Sequence, residues 1–472
     1  MEPVSAAAPT EVSAGSAPKE AFLTEGLPER QRIAAMTAIL VPVAMSTLDT
    51  VITNTALPSI AASIHADAPS VIWVVTAYQL AMVATLLPFA SFAEKIGYRR
   101  LYVGGLVLFT ITSLACGLAW SLPSLVIFRA LQGVGAASLM SVNTALIRFI
   151  YPPRILGRGL GLNAFMSGVA FTAGPTVASA ILSFTTWHWL FLVNVPAGLA
   201  AIWLSLRNLP QTPHSAARFD APAALLCGSF FFLLVLGIGT VSQNGPWRVV
   251  LPEWGMALLC AVTLIYRQRH HAAPMLAQDL FRNPVFALSS LTAICSFATQ
   301  GLAFVALPFL LQAYGRTQVE TGFLMTPWPA VVAVMAPIAG RLSDRYAPGM
   351  LCGLGLFIMA AGMAALALMP AHASAFDIGW RMVLCGFGFG FFQAPNLKAI
   401  MGSAPPKRSS GASGTVAMSR LLGQSSGAAL VALCFYISLK SGPEIALWLG
   451  CGFSFAGCLA SVLRLLPGWK RK

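Results

Sequence analysis

Hydrophobic residues in this chain run in long unbroken stretches and do not alternate with polar residues. From residue 33 onward, fourteen such stretches follow one another with short connections. A stretch of about 20 apolar residues is long enough to cross a bilayer as an α-helix. The pattern therefore predicts an all-α integral membrane protein with fourteen transmembrane helices. The predicted spans are 33–57, 70–92, 101–121, 124–147, 158–182, 187–207, 221–241, 249–267, 284–313, 320–341, 350–370, 378–401, 409–437 and 444–464.

The composition excludes the main alternative classes of protein. Hydrophobic residues make up 57% of the chain and charged residues 9%, and the mean hydropathy is +0.76. A soluble globular protein carries about 25% charged residues, so a soluble enzyme of this composition is excluded. Continuous apolar runs also exclude an outer-membrane barrel, whose strands alternate polar and apolar residues. The nine cysteines fall inside apolar runs and are interpreted as small apolar packing residues.

The net charge of +14 is explained by where the basic residues fall. Of the 29 Lys and Arg residues, 23 lie in the terminal segments and in the loops that share their side of the membrane. The loops on the other side hold only Arg248, Arg316 and Lys440. Because positive charge concentrates in cytoplasmic loops, both termini are predicted to be cytoplasmic. No nucleic-acid partner is needed to account for the charge.

Short repeated sequence motifs divide the chain into two similar halves. The tripeptide Ala-Leu-Pro at 56–58 recurs at 306–308, and Glu94 is matched by Asp344, in both cases 250 residues later. These repeats predict two parallel six-helix bundles, 33–207 and 284–465, with the substrate site between them. Spans 7 and 8, within 208–283, are then an inserted helix pair without transport residues. Residues 1–32 are predicted to be a disordered cytoplasmic tail and 466–472 a basic cytoplasmic tail.

Six motifs occur in order along the predicted spans. They are Leu48–Pro58, Ala90–Arg100, Arg129–Ala137, Gly168 with Gly174-Pro175, Trp187–Pro196 and Arg420–Gly423. In this order they resemble the major facilitator superfamily, specifically its fourteen-helix drug:proton antiporters. The chain departs from the family pattern in three places. These are Ala90 in place of Gly, Glu94 in place of Asp, and Ala178-Ser179 in place of a Gly pair.

The resemblance implies a function and a location. The protein is expected to be a proton-coupled secondary transporter that exports small amphiphilic molecules by alternating access, in the bacterial plasma (inner) membrane. It is expected to act as a monomer among membrane lipids, with an adaptor protein where a second membrane must be crossed. Two alternatives stay open: export of one specific endogenous metabolite or siderophore-like compound, and proton-coupled import.

The energy source and the absence of enzyme chemistry are predicted from motifs that the chain lacks. No Gly-Lys dipeptide occurs, so a Walker A nucleotide loop is excluded. No metal-ligand cluster and no catalytic group facing a cavity, apart from Asp49, is recognised. We therefore expect neither a cofactor, nor a metal, nor an enzymatic activity, and we expect the proton gradient to drive transport.

Asp49 is the one acidic residue placed well inside a span of either half, and such groups are costly and usually functional. Removal from water favours the protonated form of a carboxyl group, so Asp49 is predicted to carry the proton. Counting along spans 1 and 4 with the helical rise puts Arg129 at a similar depth. A purely structural ion pair between the two is the alternative. The resemblance implies that Arg129 modulates proton binding, and helix-to-helix hydrogen bonding is the other interpretation.

The remaining candidate residues fall into three groups. Arg420, near the middle of span 13, either contacts an anionic or polar substrate group or caps a carbonyl and helps gating. Other candidate substrate or gating residues are Tyr78, Gln79, Asn163, Gln393 and Asn396. The antiporter motif comprises Gly168, Gly174 and Pro175. The predicted cytoplasmic gate loops contain Glu94, Lys95, Gly97, Arg99 and Arg100 in the first half and Gly340, Asp344 and Arg345 in the second.

Overall fold

A computed structural model describes residues 26–212, 219–242, 246–268, 279–405 and 409–465. In these ranges the regular structure is entirely helical, and fourteen helices are long and apolar enough to cross a membrane, as predicted. We number them α1 Glu29–Ile64, α2 Ala68–Ile96, α3 Tyr98–Gly117, α4 Leu122–Ile150, α5 Arg158–Phe184, α6 His188–Asn208, α7 Ala221–Val241, α8 Trp247–Gln268, α9 Pro284–Ala313, α10 Gln318–Leu342, α11 Pro348–Ala367, α12 Ala375–Ser403, α13 Gly411–Ile437 and α14 Gly442–Leu463.

The start of α1 corrects one predicted boundary. The helix begins at Glu29, so residues 29–32, predicted as part of a disordered tail, are helical. Their Glu, Arg and Gln side chains favour helix, and the negative charge of Glu29 suits the first turn. Residues 1–25 of the predicted tail and the predicted basic tail 466–472 lie outside the described residues.

Three of the spanning helices are interrupted. α2 is broken at Ile72, α6 at Val193 and α10 at Thr326. Proline contributes to the latter two breaks, because Pro196 and Pro327 lack the backbone N–H that would continue the hydrogen-bond ladder. The break in α6 matters for the site, since Asn194 begins the second helical segment.

Helix packing follows the same pattern twice. In the first half the main contacts are α1–α5, α1–α6, α2–α4, α3–α4 and α3–α6. The same pairs recur eight helices later, as α9–α13, α9–α14, α10–α12, α11–α12 and α11–α14. This recurrence confirms two six-helix bundles built as parallel repeats. The bundles meet through α1–α9, α2–α13 and α5–α10.

The inserted pair α7–α8 lies along one of these seams. α7 packs against both α2 and α13, and α8 packs mainly against α7. The approach to α2 is close: a Cβ at Gly228 would lie 2.9 Å from the Ala84 carbonyl oxygen, and one at Gly239 would lie 2.8 Å from Trp73. The pair therefore covers the α2–α13 seam and leaves the α5–α10 seam uncovered.

Two apolar clusters join the bundles, and one of them, which packs Tyr78 and Met82 of α2 with Met418 and Leu421 of α13, lies along the seam covered by α7. We call the end where α1 begins and α14 ends the terminal face, and the other end the opposite face. Near the opposite face, one cluster combines Leu57 of α1, Ala178 of α5, Leu302 of α9 and Val431 of α13. Near the terminal face the described clusters belong to one bundle or the other. The bundles are therefore packed together near the opposite face and along the α2–α13 seam, while the clusters nearest the terminal face are separate.

Candidate functional site

A buried ion pair joins α1 to α4. Arg129 Nη1 lies 2.5 Å from Asp49 Oδ2, and both side chains are fully buried. The two residues thus sit at the same depth, as the counting along the helices predicted. Because a buried charge is tolerated only when it is compensated, each side chain of this pair requires the other.

Two amides complete the surroundings of the carboxylate. Asp49 Oδ1 accepts hydrogen bonds from Gln132 Nε2 at 3.1 Å and from Asn194 Nδ2 at 3.0 Å. Gln132 Oε1 in turn accepts from Arg129 Nη1 at 2.6 Å, and its amide also donates to Ser113 Oγ at 2.8 Å. Both carboxylate oxygens of Asp49 are therefore engaged by three donors from α4 and α6.

The guanidinium of Arg129 is also held by α2. Its Nε donates to the Val74 carbonyl at 3.1 Å, and its Cζ lies 4.1 Å from the centre of the Tyr78 ring. Its remaining nitrogen, Nη2, is buried without a hydrogen-bond partner in the described structure. Glycine makes the close approach of α4 to α2 possible, because a Cβ at Gly133 would lie 2.2 Å from the Tyr78 carbonyl oxygen.

The second bundle has no equivalent acid. Thr299, 250 residues after Asp49, holds the corresponding place on α9. Its hydroxyl lies 3.0 Å from both Ser454 Oγ and the Gly450 carbonyl oxygen of α14. Asp49 likewise bonds to α6, the equivalent of α14. Among the described residues, the acid at this depth therefore belongs to the first bundle.

The antiporter-motif residues lie where α5 meets α1 and α10. A Cβ at Gly174 would come within 2.5 Å of Val51 Cγ1, and one at Gly322 within 2.4 Å of the Pro175 carbonyl oxygen. A Cβ at Gly168, in contrast, would meet no atom within 4 Å. Gly174 thus lets α5 approach α1, and Gly322 lets α10 approach Pro175 of α5, whereas Gly168 plays no part in this packing.

Arg420 lies at the junction of the two bundles. Its Nη2 is 3.7 Å from Met140 Sδ of α4, and its Nε is buried without a partner in the described structure. Its chain neighbours Met418 and Leu421 pack in one apolar cluster with Tyr78 of α2. Tyr78 Oη and Gln79 Oε1 are also buried without hydrogen-bond partners among the described residues.

The other candidate contacts are spread over the molecule. Asn163 accepts a hydrogen bond from Asn143 at 3.0 Å, within the first bundle. Gln393 is half-buried on α12. Asn396 donates to the Ser289 carbonyl at 3.1 Å and accepts from Arg464 at 3.0 Å. Its amide thus joins helices within the second bundle, and we assign Asn396 a structural role.

The predicted gate loops lie at the terminal face, each bound to its own bundle. Arg99 donates to the Leu206 carbonyl of α6, and Gly97 has a positive φ of 95° at the turn before α3. Asp344 pairs with Lys398 of α12 at 2.6 Å. Glu94, Lys95, Arg100 and Arg345 are exposed, and Gly340 is half-buried. In this conformation, no described ion pair joins a loop to the opposite bundle.

Gln132 and Asn194 are the residues that the sequence analysis did not single out. Both belong to recognised motifs, Gln132 one turn after Arg129 and Asn194 just before Pro196. A usable signal was present, since an amide at i+3 from an intramembrane arginine lies on the same helix face. No group of His, Cys, Asp or Glu able to hold a metal occurs among the described residues.

This helical fold, with a buried acid–base pair in one of two repeats, is that of a multi-pass membrane transporter and not of an enzyme. The model of the Major Facilitator Superfamily matches residues 39–428, and the chain belongs to that family. Solved structures of low sequence identity have a similar fold. One is a POT family transporter in complex with a thioalcohol-conjugated peptide, with a TM-score of 0.70 and 13% identity, over 92% of this chain and 96% of the other.

Sequence relatives include transporters of several kinds. The "Uncharacterized transporter YebQ" of Escherichia coli is 47% identical over 93% of this chain and 97% of its own length. The "Riboflavin transporter RibZ" of Clostridioides difficile is 30% identical, covering 80% and 83%. The "Multidrug resistance protein Stp" of Mycobacterium tuberculosis is 30% identical, covering 85% and 74%.

Proposed function

We propose that this protein is a drug:proton antiporter, which exports small amphiphilic molecules in exchange for protons. The observation that carries the proposal is the fully buried pair of Asp49 and Arg129 with its two amide partners. Relatives named multidrug resistance proteins support the export of amphiphiles. The proton gradient supplies the energy, and no cofactor takes part.

The pair provides a physical route for coupling. With Asp49 charged, the site is electrically neutral and α1, α4 and α6 are tied together. Protonation of Asp49 removes the charge pair and leaves the Arg129 guanidinium buried without a counter-ion, which is strongly unfavourable. The protonated site thus favours a rearrangement of these helices. Gly174 and Pro175, packed between α1 and α10, connect that rearrangement to the second bundle.

The orientation of the protein in the membrane follows from the distribution of basic residues. We assign the terminal face to the cytoplasm, because 23 of the 29 basic residues lie on that side. With that assignment, the apolar cluster near the opposite face joins the two bundles on the outer side of the membrane. The protein is proposed to act as a monomer in the bacterial plasma membrane, with an adaptor where a second membrane follows.

Proteoliposomes with an imposed pH gradient test the proposal. Export of two chemically unrelated uncharged dyes, Nile red and N-phenyl-1-naphthylamine, is compared for the wild type, Asp49→Asn and Asp377→Asn. Asp377 pairs with Arg381 at 3.0 Å but is partly exposed at the start of α12, so it controls for loss of an acid from an ion pair. We expect Asp49→Asn alone to lose proton-driven export. Full proton-driven export by Asp49→Asn contradicts the proposal.

A second candidate function is transport of a single metabolite, which the relative named as a riboflavin transporter favours. The same vesicles separate the two. A multidrug exporter moves chemically unrelated probes, whereas a metabolite transporter moves one compound and excludes the others. Proton-driven transport of a compound toward the terminal face would instead show that the protein is an importer.

A further inference from the structure

Arg420 lacks the oxygen acceptors that Arg129, Arg381 and Arg464 have among the described residues. Arg129 binds Asp49, Arg381 bonds to carboxylate and carbonyl oxygens, and Arg464 donates to side-chain oxygens at 2.6 and 3.0 Å. Arg420 has only the thioether of Met140 at 3.7 Å, across the junction of the bundles. A cation removed from water without an acceptor is costly. Its Nε is buried without a hydrogen-bond partner among the described residues, and an anionic oxygen would satisfy it.

The chain itself does not provide that anion among the described residues. Asp49 is the acid inside the bundles at this depth, and three donors already occupy both its oxygens. None of the four described acid–base pairs includes Arg420. A bound cation would find no uncommitted carboxylate here, whereas a bound anion would find an uncommitted guanidinium.

The surroundings of Arg420 are suited to an amphiphile. Met140, Met418, Leu421 and Tyr78 supply apolar and aromatic surface beside the guanidinium. Gln424 lies one turn further along α13 and donates to Gln300 Oε1 of α9 at 2.9 Å. An arginine binds a carboxylate through two parallel hydrogen bonds, which a lysine cannot do.

We propose that Arg420 is the anion-recognising residue of the substrate site, and that the preferred substrates are monoanionic amphiphiles such as aryl carboxylates. This inference rests on the proposed export function, because it names the substrate class of that same transporter. This role differs from the gating interpretation, in which a change at Arg420 would affect the transport of every substrate equally.

Equilibrium binding to purified protein in nanodiscs tests the inference without a proton gradient. The probes are naphthalene-1-acetate, its uncharged amide naphthalene-1-acetamide, and 2-(1-naphthyl)ethylammonium, which share one ring. For the wild type we expect the carboxylate to bind about 10- to 100-fold more tightly than the amide, the range for hydrogen bonds to charged groups. The ammonium should bind most weakly.

Three variants identify the residue responsible. Arg420→Gln should bring the carboxylate to the affinity of the amide, and Arg420→Lys should keep part of the preference. Arg464→Gln, which removes a buried arginine of the same bundle, should leave the ratio unchanged even if it lowers stability. Size-exclusion profiles establish that each variant is folded.

The outcomes separate this inference from the proposed function. Equal binding of the three probes, no saturable binding of the carboxylate, or an equal loss for all probes in Arg420→Gln contradicts the anion site. Loss of proton-driven export with the carboxylate preference intact contradicts the antiport proposal alone.

Discussion

Gly174 of α5 lies directly against Val51 of α1, two residues beyond Asp49 on the same helix. A Cβ at position 174 would come within 2.5 Å of Val51 Cγ1 and 2.7 Å of Val51 Cβ. The missing side chain therefore sets how closely α5 approaches the helix that carries the buried acid. A glycine motif in a distant part of the sequence is thereby connected physically to the ion pair.

We expect Gly174→Ala to slow transport and lower the thermal unfolding midpoint in detergent. Overpacking of a well-packed interior costs about 1–3 kcal/mol. Gly168→Ala is the matched control, since its new methyl group meets no atom within 4 Å. Alanine also favours helix over glycine by about 0.5–1 kcal/mol, so this control should be neutral or slightly stabilised. Equal transport rates and unfolding midpoints for the two variants would show that the close contact with Val51 affects neither transport nor stability.

Asn194 is expected to be required for proton-driven transport. Its amide donates to Asp49 Oδ1 at 3.0 Å and ties α6 to the ion pair between α1 and α4. Asn194→Leu removes one of the two donors to this oxygen. Proton-driven export in proteoliposomes should therefore fall by about tenfold or more, given the strength of hydrogen bonds to charged groups.

The control for this prediction is Thr299→Val, at the corresponding position of the second bundle. Its hydroxyl bonds to neutral groups of α14, so its loss should leave proton-driven export largely in place. Unchanged export by Asn194→Leu would mean that the hydrogen bond from this amide to Asp49 is not needed for coupling.

The inserted pair α7–α8 is expected to carry no transport residues, although α7 contacts both bundles. Its inner face contributes the apolar side chains of Ala223, Cys227 and Phe231 to the packing against α2 and α13. Single cysteines introduced through 221–267 in a cysteine-free background should show no protection from thiol reagents by bound naphthalene-1-acetate. Cysteines placed near Arg420, at Ala417 or Gln424, are the positive controls. Protected positions in α7 or α8 would place the substrate site at the covered seam.

Hydropathy predicted most of the fold but only part of the site. Apolar runs determine how many helices cross the membrane and at what depth each residue lies, so Asp49 and Arg129 could be matched by counting. The rotation of each helix about its axis is not encoded in such runs, because spans buried within a bundle are apolar on nearly all sides. Gln132 and Asn194 were therefore not recognised as partners of Asp49, and the bonds of the candidate residue Asn396 within the second bundle could not be foreseen.

The final prediction concerns divalent cations. A buried cation needs a carboxylate partner, and the one acid at the right depth, Asp49, already has three donors. A dication would also be repelled by Arg420, whose charge has no partner among the described residues. Chlorhexidine should therefore be exported poorly, and Arg420→Gln should improve its export relative to that of naphthalene-1-acetate. Vesicles that contain the reconstituted protein and are loaded with both compounds give the ratio of the two export rates directly. Efficient export of chlorhexidine by the wild type, unaffected by Arg420→Gln, would show that the charge of Arg420 does not act on the substrate.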